Sequence, residues 1–215
     1  MTRFPLVAVA VVLAALAATP AGACSVVSGY RVPTALELAG SAEAIVLGTV
    51  ERQEGGGSPF DTEVIVRPTL RLKGAALPAE VRLRGYLATA DMPATRSDPR
   101  ELFRVNPDAL SGGCNRYVFQ RGMQLVLFLE RDGKGELRPS LPPFARAAED
   151  VPGPDALWVK AVRLYAGIAA LPAKQRRAAL AARRDALRAS GDPDDALLAA
   201  DIDRQLRKKR LPPFD

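Results

Sequence analysis

The residues with the most specific chemistry are the two cysteines, Cys24 and Cys114. Two are too few for a four-cysteine zinc site. The 215 residues contain no histidine, which removes every Ser-His-Asp and Cys-His nucleophile arrangement and every His-ligated metal. A disulfide, a lipid thioether or a pair of plain thiols remains. The carboxylates offer less. Glu130 with Asp132, and Glu149 with Asp150, are acid/base pairs in principle, but each reads as lying beside a turn with no partner opposite. Asp192, Asp194 and Asp195 resemble a scrap of a calcium loop without its Gly and distal Glu, so helix capping accounts for them better. No catalytic constellation, metal set or cofactor motif emerges. The expectation is a protein that is not an enzyme and needs no cofactor.

Basic residues supply the remaining candidate. Arg71, Lys73, Arg82 and Arg84 alternate along two neighbouring strand candidates, which would line them up on one outer face as an anion strip for lipid phosphate or another polyanion. A solvated sheet face carries charges in the same alternation without any ligand. The net charge of +6 is unevenly placed. Residues 24–150 carry 16 basic and 16 acidic side chains, whereas residues 151–215 carry 13 and 8. A nucleic-acid-binding chain spreads its positive charge over the folded body, so no nucleic-acid partner is expected. The run Arg207 to Arg210 is either a membrane-surface patch or a favourable set of charges at a helix C-terminus.

The elements that must hold these residues begin with an address. Thr2-Arg3, the apolar run Leu6 to Ala18, Thr19-Pro20 and the small residues Ala21-Gly22-Ala23 form the pattern of a secretory signal peptide cleaved after Ala23. The apolar run is well short of the ~20 residues that span a bilayer. Export makes Cys24 the new N-terminus, with localisation secreted or periplasmic. A lipoprotein anchored at Cys24 is the alternative, although Ala21 stands where such proteins usually carry Leu. Two cysteines in an exported protein usually pair. A Cys24–Cys114 bridge would close a loop of about 90 residues, worth up to ~4.6 kcal/mol in the chain-entropy model. Two free thiols, or an acylated Cys24 with a buried Cys114, stay open.

The body reads as strands. Pro33 to Ser41 suggests a short helix with proline in its first turn. Ala44–Val50, Thr62–Lys73, Glu80–Arg84, Gly122–Glu130 and Glu136–Arg138 read as five strands. Pro68 predicts a bulge or a bend within the second, whose Val64, Val66, Leu70 and Leu72 are placed on one face. Leu87 to Gly113, with Pro93, Pro99 and Pro107, has no sustained period and reads as a long recognition loop. Five short strands with glycine at the bends argue a small closed barrel or a sandwich.

After Pro152-Gly153-Pro154 the period becomes helical. Asp155–Leu171 brings Trp158, Val162, Tyr165 and Ile168 to one face. Pro172–Arg188 and Pro193–Arg207 follow as a hairpin joined by Ser190-Gly191-Asp192. Five large apolar residues on that hairpin, at ~1.5–3 kcal/mol each, cannot offset the ordering of its backbone alone, so it must lean on the rest of the chain or on a partner.

The mature chain opening on cysteine, the short helix, SAEAIVLGTVERQ, a strand ending RLKG and then GGCNRYVFQRGMQLVLFLE together resemble the tissue-inhibitor-of-metalloproteinases and netrin-module superfamily, in its secreted bacterial members. The resemblance covers about residues 24–170. It implies a five-stranded OB barrel, which matches the strand count. Cys24 matches the family's N-terminal cysteine, whose amino group and carbonyl oxygen chelate a target protease's zinc in the animal inhibitors, with Ser25 beside it as a partner contact. Cys114 matches the cysteine before the glycine-led strand. Val26 stands where those inhibitors carry a second cysteine.

The combined expectation is mainly β with α: a signal peptide (1–23), an OB-like barrel domain (24–170) and an α-helical hairpin extension (171–215). Its function would be that of an exported, non-enzymatic binding module of the bacterial envelope, with a protein or envelope component as ligand. The bacterial origin is read from abundant alanine and the excess of Arg over Lys. The alternatives are a metalloprotease inhibitor acting through Cys24 and a lipid-anchored structural envelope protein. Membrane contact is expected only if Cys24 is acylated or the basic tail docks on lipid.

Overall fold

Thr34 starts the first helix. Its hydroxyl accepts the Glu37 N–H while Glu37 Oε2 accepts the Thr34 N–H at 2.9 Å, a capping box that opens α1 (Ala35–Ser41). Pro33 stands one residue ahead of the cap and not in the first turn, because Thr34 offers the oxygen that satisfies the helix N-terminus. The computed structural model describes residues 26–56 and 61–207.

Directly after α1 the chain enters β1 (Ala44–Glu54), then β2 (Glu63–Lys73) and β3 (Val81–Arg84). β4 (Tyr86–Leu87) and β5 (Val118–Phe119) pair with each other in parallel. β6 (Gln124–Arg131), β7 (Leu137–Pro139) and β8 (Ala148–Val151) complete the strands among the described residues. The main sheet is antiparallel in the order β3-β2-β1-β6-β7, with β8 also on β6. The edges β3 and β7 approach each other without a ladder between them among the described residues, so the sheet shows no closed barrel. Four helices of 7, 13, 18 and 15 residues make the described chain mixed α and β, not mainly β.

Both faces of the sheet are buried. Ala44, Val46 and Val50 of β1 join Leu125, Leu127 and Leu129 of β6 in one cluster. The alternate residues Ile45, Leu47, Val126 and Phe128 join a second cluster under the helices. β2 breaks this parity. Its Val64 and Val66 enter the first cluster, whereas Leu70 and Leu72 pack against the second. The cause is a bulge beside Pro68, where the sequence predicts a bulge or a bend: Gly48 pairs with Pro68 and Leu47 with Leu70, leaving Thr69 as the extra residue. One inserted residue sends every later side chain to the opposite face. The close crossing also requires glycine at 48, where a Cβ would lie 2.7 Å from the Val66 Cγ1 and 2.9 Å from the Arg67 oxygen.

The helical face is covered by α2 (Leu157–Ala169), α3 (Ala173–Ser190) and α4 (Pro193–Arg207). Trp158 of α2 meets Phe128 of the sheet with ring centroids 6.5 Å apart. α3 ends on Gly191 at φ 74°, and Asp192 Oδ1 accepts the Asp194 N–H at 2.7 Å to begin α4. Leu180, Leu187, Leu198 and Ile202 of this hairpin belong to the same cluster as α1, α2 and the outer sheet face. The hairpin therefore shares a hydrophobic cluster with residues on the N-terminal side of position 170. No helix among the described residues is long and apolar enough to cross a membrane.

Ile202 is fully buried. Ile202→Ala is expected to cost about 2–5 kcal/mol in the unfolding transition reported by Trp158, the chain's single tryptophan. A cost below about 0.5 kcal/mol would put the hairpin outside the cooperative unit.

Candidate functional site

All four residues of β8 are buried, and two of them are the carboxylates Glu149 and Asp150, 1% and 6% exposed. They lie within a strand and not beside a turn, and both have partners opposite. A buried charge costs several kcal/mol unless it is paired and its remaining hydrogen-bonding capacity is met. Asp150 Oδ1 takes Arg116 Nη1 at 2.6 Å and the Ser97 N–H at 2.8 Å. Glu149 accepts the Asn106 N–H at 3.0 Å and the Ser97 hydroxyl at 2.7 Å, with Arg146 Nη2 at 3.5 Å. Burial pushes the Asp150 carboxyl up, but Arg116 and the Ser97 bonds outweigh it and hold the pKa below its ordinary value.

These bonds settle what Leu87–Gly113 is. Asn106 Nδ2 donates to the Thr95 carbonyl and to Ser97 Oγ, both at 3.0 Å. Arg116 Nη2 donates to the Thr95 carbonyl at 2.6 Å, and its guanidinium carbon sits 5.2 Å from the Phe119 ring centroid. Asp108 Oδ2 accepts the N–H groups of Tyr117 and Val118 at 2.9 and 3.0 Å, tying a 3-10 turn (Pro107–Leu110) to β5. Leu102 is buried in the helical cluster. The segment is pinned through Thr95, Ser97, Leu102, Asn106 and Asp108, while Met92 and Leu110 stay exposed at its surface. Its sequence carries no period because side-chain bonds, not a ladder, hold it.

A third buried acid was not singled out in the sequence. Asp201 of α4 is 2% exposed. Its Oδ2 accepts the Tyr165 hydroxyl, and its Oδ1 accepts Arg204 Nη2 at 2.8 Å. Burial raises its pKa above the ordinary carboxylate value, against the opposing pull of Tyr165, Arg204 and Arg146. Burial, and then Asp201 itself, also raise the Tyr165 hydroxyl. Only spacing could have exposed Asp201: it precedes Ile202 on the stripe that also holds Leu198.

The residues singled out in the sequence fare differently. Cys24 and Ser25 lie outside the described residues. Cys114 is half-buried, has no free thiol, sits at φ 60° and accepts the Phe144 N–H through its carbonyl at 2.7 Å. Arg71, Lys73, Arg82 and Arg84 do not form one strip. Arg82 and Arg84 face Ile65 and Glu63 in register, about 20 Å and about 26 Å along β2 from Arg71 at ~3.3 Å per residue. Arg82 is engaged by Glu54 at 2.8 Å and Glu80 at 2.9 Å. Lys73 Nζ donates to the Ala39 carbonyl at 2.8 Å at the end of α1, and burial lowers its pKa. Among the described residues no group of three or more His, Cys, Asp or Glu could hold a metal ion. Comparison with protein-family models, with curated proteins and with solved structures gives no match.

Asp150 and Asp201 predict opposite pH behaviour. Asp150 titrates below its unfolded value, so its contribution is present above about pH 4 and is lost as the pH falls through the folded pKa. Asp150→Asn, which strands the buried Arg116, is expected to cost about 3–5 kcal/mol at pH 7 and less as the pH falls toward and through the folded pKa. Asp201 titrates above its unfolded value, so its protonated form favours folding and that contribution fades as the pH rises through the folded pKa. Asp201→Asn should flatten this loss above about pH 4. Urea midpoints from pH 3 to 8 test both, and parallel pH curves for wild type and variant would refute either assignment.

Proposed function

We propose that this protein is an exported, non-enzymatic binding module of the bacterial envelope, built on a partly open five-stranded OB-like barrel with a helical layer, and that it recognises a protein or envelope component through the segment 88–113. The observation that carries the reading is the pinning of that segment by Asp150 and Glu149. An irregular surface segment held rigid before encounter loses little conformational entropy on binding, and such preorganised loops on a rigid scaffold are where recognition concentrates. The barrel reading draws support from the order β3-β2-β1-β6-β7 and the approach of β3 to β7, since a partly open barrel of this kind needs its first and last strands side by side. Pairing of Cys24 with Cys114 would add a covalent tie between the mature N-terminus and the same segment, next to Phe144.

The recognition surface is tested by photo-cross-linking the full chain in its envelope, with the cross-linker at Met92 or Leu110 and a control at the exposed Arg163 on the helical side. The expected result is one defined product from positions 92 and 110, competed away by unlabelled protein and absent at 163. Equal labelling at all three positions would overturn the reading. Intact mass and non-reducing peptide mapping of the exported protein should give cleavage after Ala23, no lipid, and a Cys24–Cys114 peptide. An acylated Cys24 would make it an anchored envelope protein instead.

A further inference from the structure

Arg146 and Trp158 are 5% and 2% exposed and lie against each other, the guanidinium carbon 4.5 Å from the indole ring centroid. Arg146 Nη1 donates to the Arg104 carbonyl at 2.7 Å and Nη2 faces Glu149 at 3.5 Å. Among the described residues its Nε–H has no partner, and neither has the Trp158 Nε1–H. A donor buried unpaired carries its full desolvation cost. Both residues line one cavity of about 60 Å³. Val32, Leu38, Leu102 and Phe144 form its apolar wall, and Asp201 and Arg204 stand at the side of α4. The oxygens of Asp201 are engaged by Tyr165 and Arg204, so the unmet hydrogen-bonding capacity belongs to donors.

We propose that this cavity is a binding site for a small aliphatic monocarboxylate, of acetate to butyrate size, whose oxygens accept from Arg146 Nε–H and Trp158 Nε1–H while its carbon tail lies on the apolar wall. The size follows from the volume, which holds about four to six water-sized groups. The charge follows from the lining, where Arg146 and Arg204 outnumber Asp201. An amine would add donors where none is needed. An alcohol would bring a proton of its own and a single acceptor for two donors. Glu149 behind Arg146 tempers the positive excess, so affinity rests on two hydrogen bonds and a short tail, with Kd on the order of millimolar. This site shares Leu102 and the Arg104 carbonyl with the segment 88–113 but not the exposed Met92 and Leu110 that test the recognition surface, so either proposal can fail without the other.

Trp158 is the only tryptophan, so its indole N–H resonance and its fluorescence report the cavity directly. The full chain is titrated with sodium acetate, propionate and butyrate at fixed pH, against propanol, propylamine and sodium chloride at matched concentration. The expected result is a saturable shift of the indole N–H with the acids alone. Arg146→Lys should weaken propionate binding at least tenfold. Ala35→Leu fills the cavity from α1 without touching either donor, and should abolish binding while the protein still unfolds cooperatively; it decides the question if Arg146→Lys does not fold. Three outcomes would overturn the proposal: no saturable shift with any of the acids, as for a cavity that holds water only; an equal response to propanol; or unchanged propionate affinity in a folded Ala35→Leu protein.

Discussion

Placing Asp150 and Glu149 inside the sheet, on β8, commits the rest of the chain to neutralising them. Arg116 must reach Asp150 from beyond Cys114, and Arg146 must reach Glu149 from the approach to β8. Ser97 and Asn106 must bring the irregular segment back to cover both. An uncompensated carboxylate in such a place would cost more than a typical domain can spare, so the segment is held by an electrostatic requirement and not by apolar burial alone. The same requirement supplies function on the proposed reading. Bonds that stop the segment from moving also lower the entropy lost when it meets a partner.

The helical layer depends on a second constraint, the change of face along β2. Without the extra residue at Thr69, Leu70 and Leu72 would continue on the Val64 side and leave the outer face of that strand polar. The bulge turns them outward to help build the surface that the helices cover. Leu180, Leu187, Leu198 and Ile202 then find a place in an existing core, which resolves how two weakly apolar helices are ordered. Their packing also carries Asp201 and Arg204 to Tyr165 and Phe103, so one side of the cavity beside Trp158 comes from the very end of the described chain.

Periodicity and turn chemistry made much of the fold legible. The long strands, the bulge at Pro68, the change to helical period after Pro154 and the Gly191-Asp192 turn all follow from local rules that need no partner. β4 and β5 escaped because two residues cannot display a period, and β8 because Glu149 and Asp150 look like surface residues to any rule based on polarity. The candidate site was illegible for the same reason. Burial of a carboxylate is decided by a guanidinium 34 residues away, and that distance has no local signature.

What the sequence by itself determined is therefore the local content. The absence of histidine excludes whole classes of chemistry, the strands and helices announce themselves by spacing, and the charge excess belongs to the C-terminal third. The tertiary structure alone decided which polar groups are buried, which basic residues are neighbours, and whether the hairpin shares the core. Alternation could place Arg71, Lys73, Arg82 and Arg84 on sheet faces, but register separated them, since pairing between strands is a non-local choice. Spacing could mark Leu198 and Ile202 as buried, but only packing could bury Asp201 beside them, because the cost of a charge depends on what surrounds it.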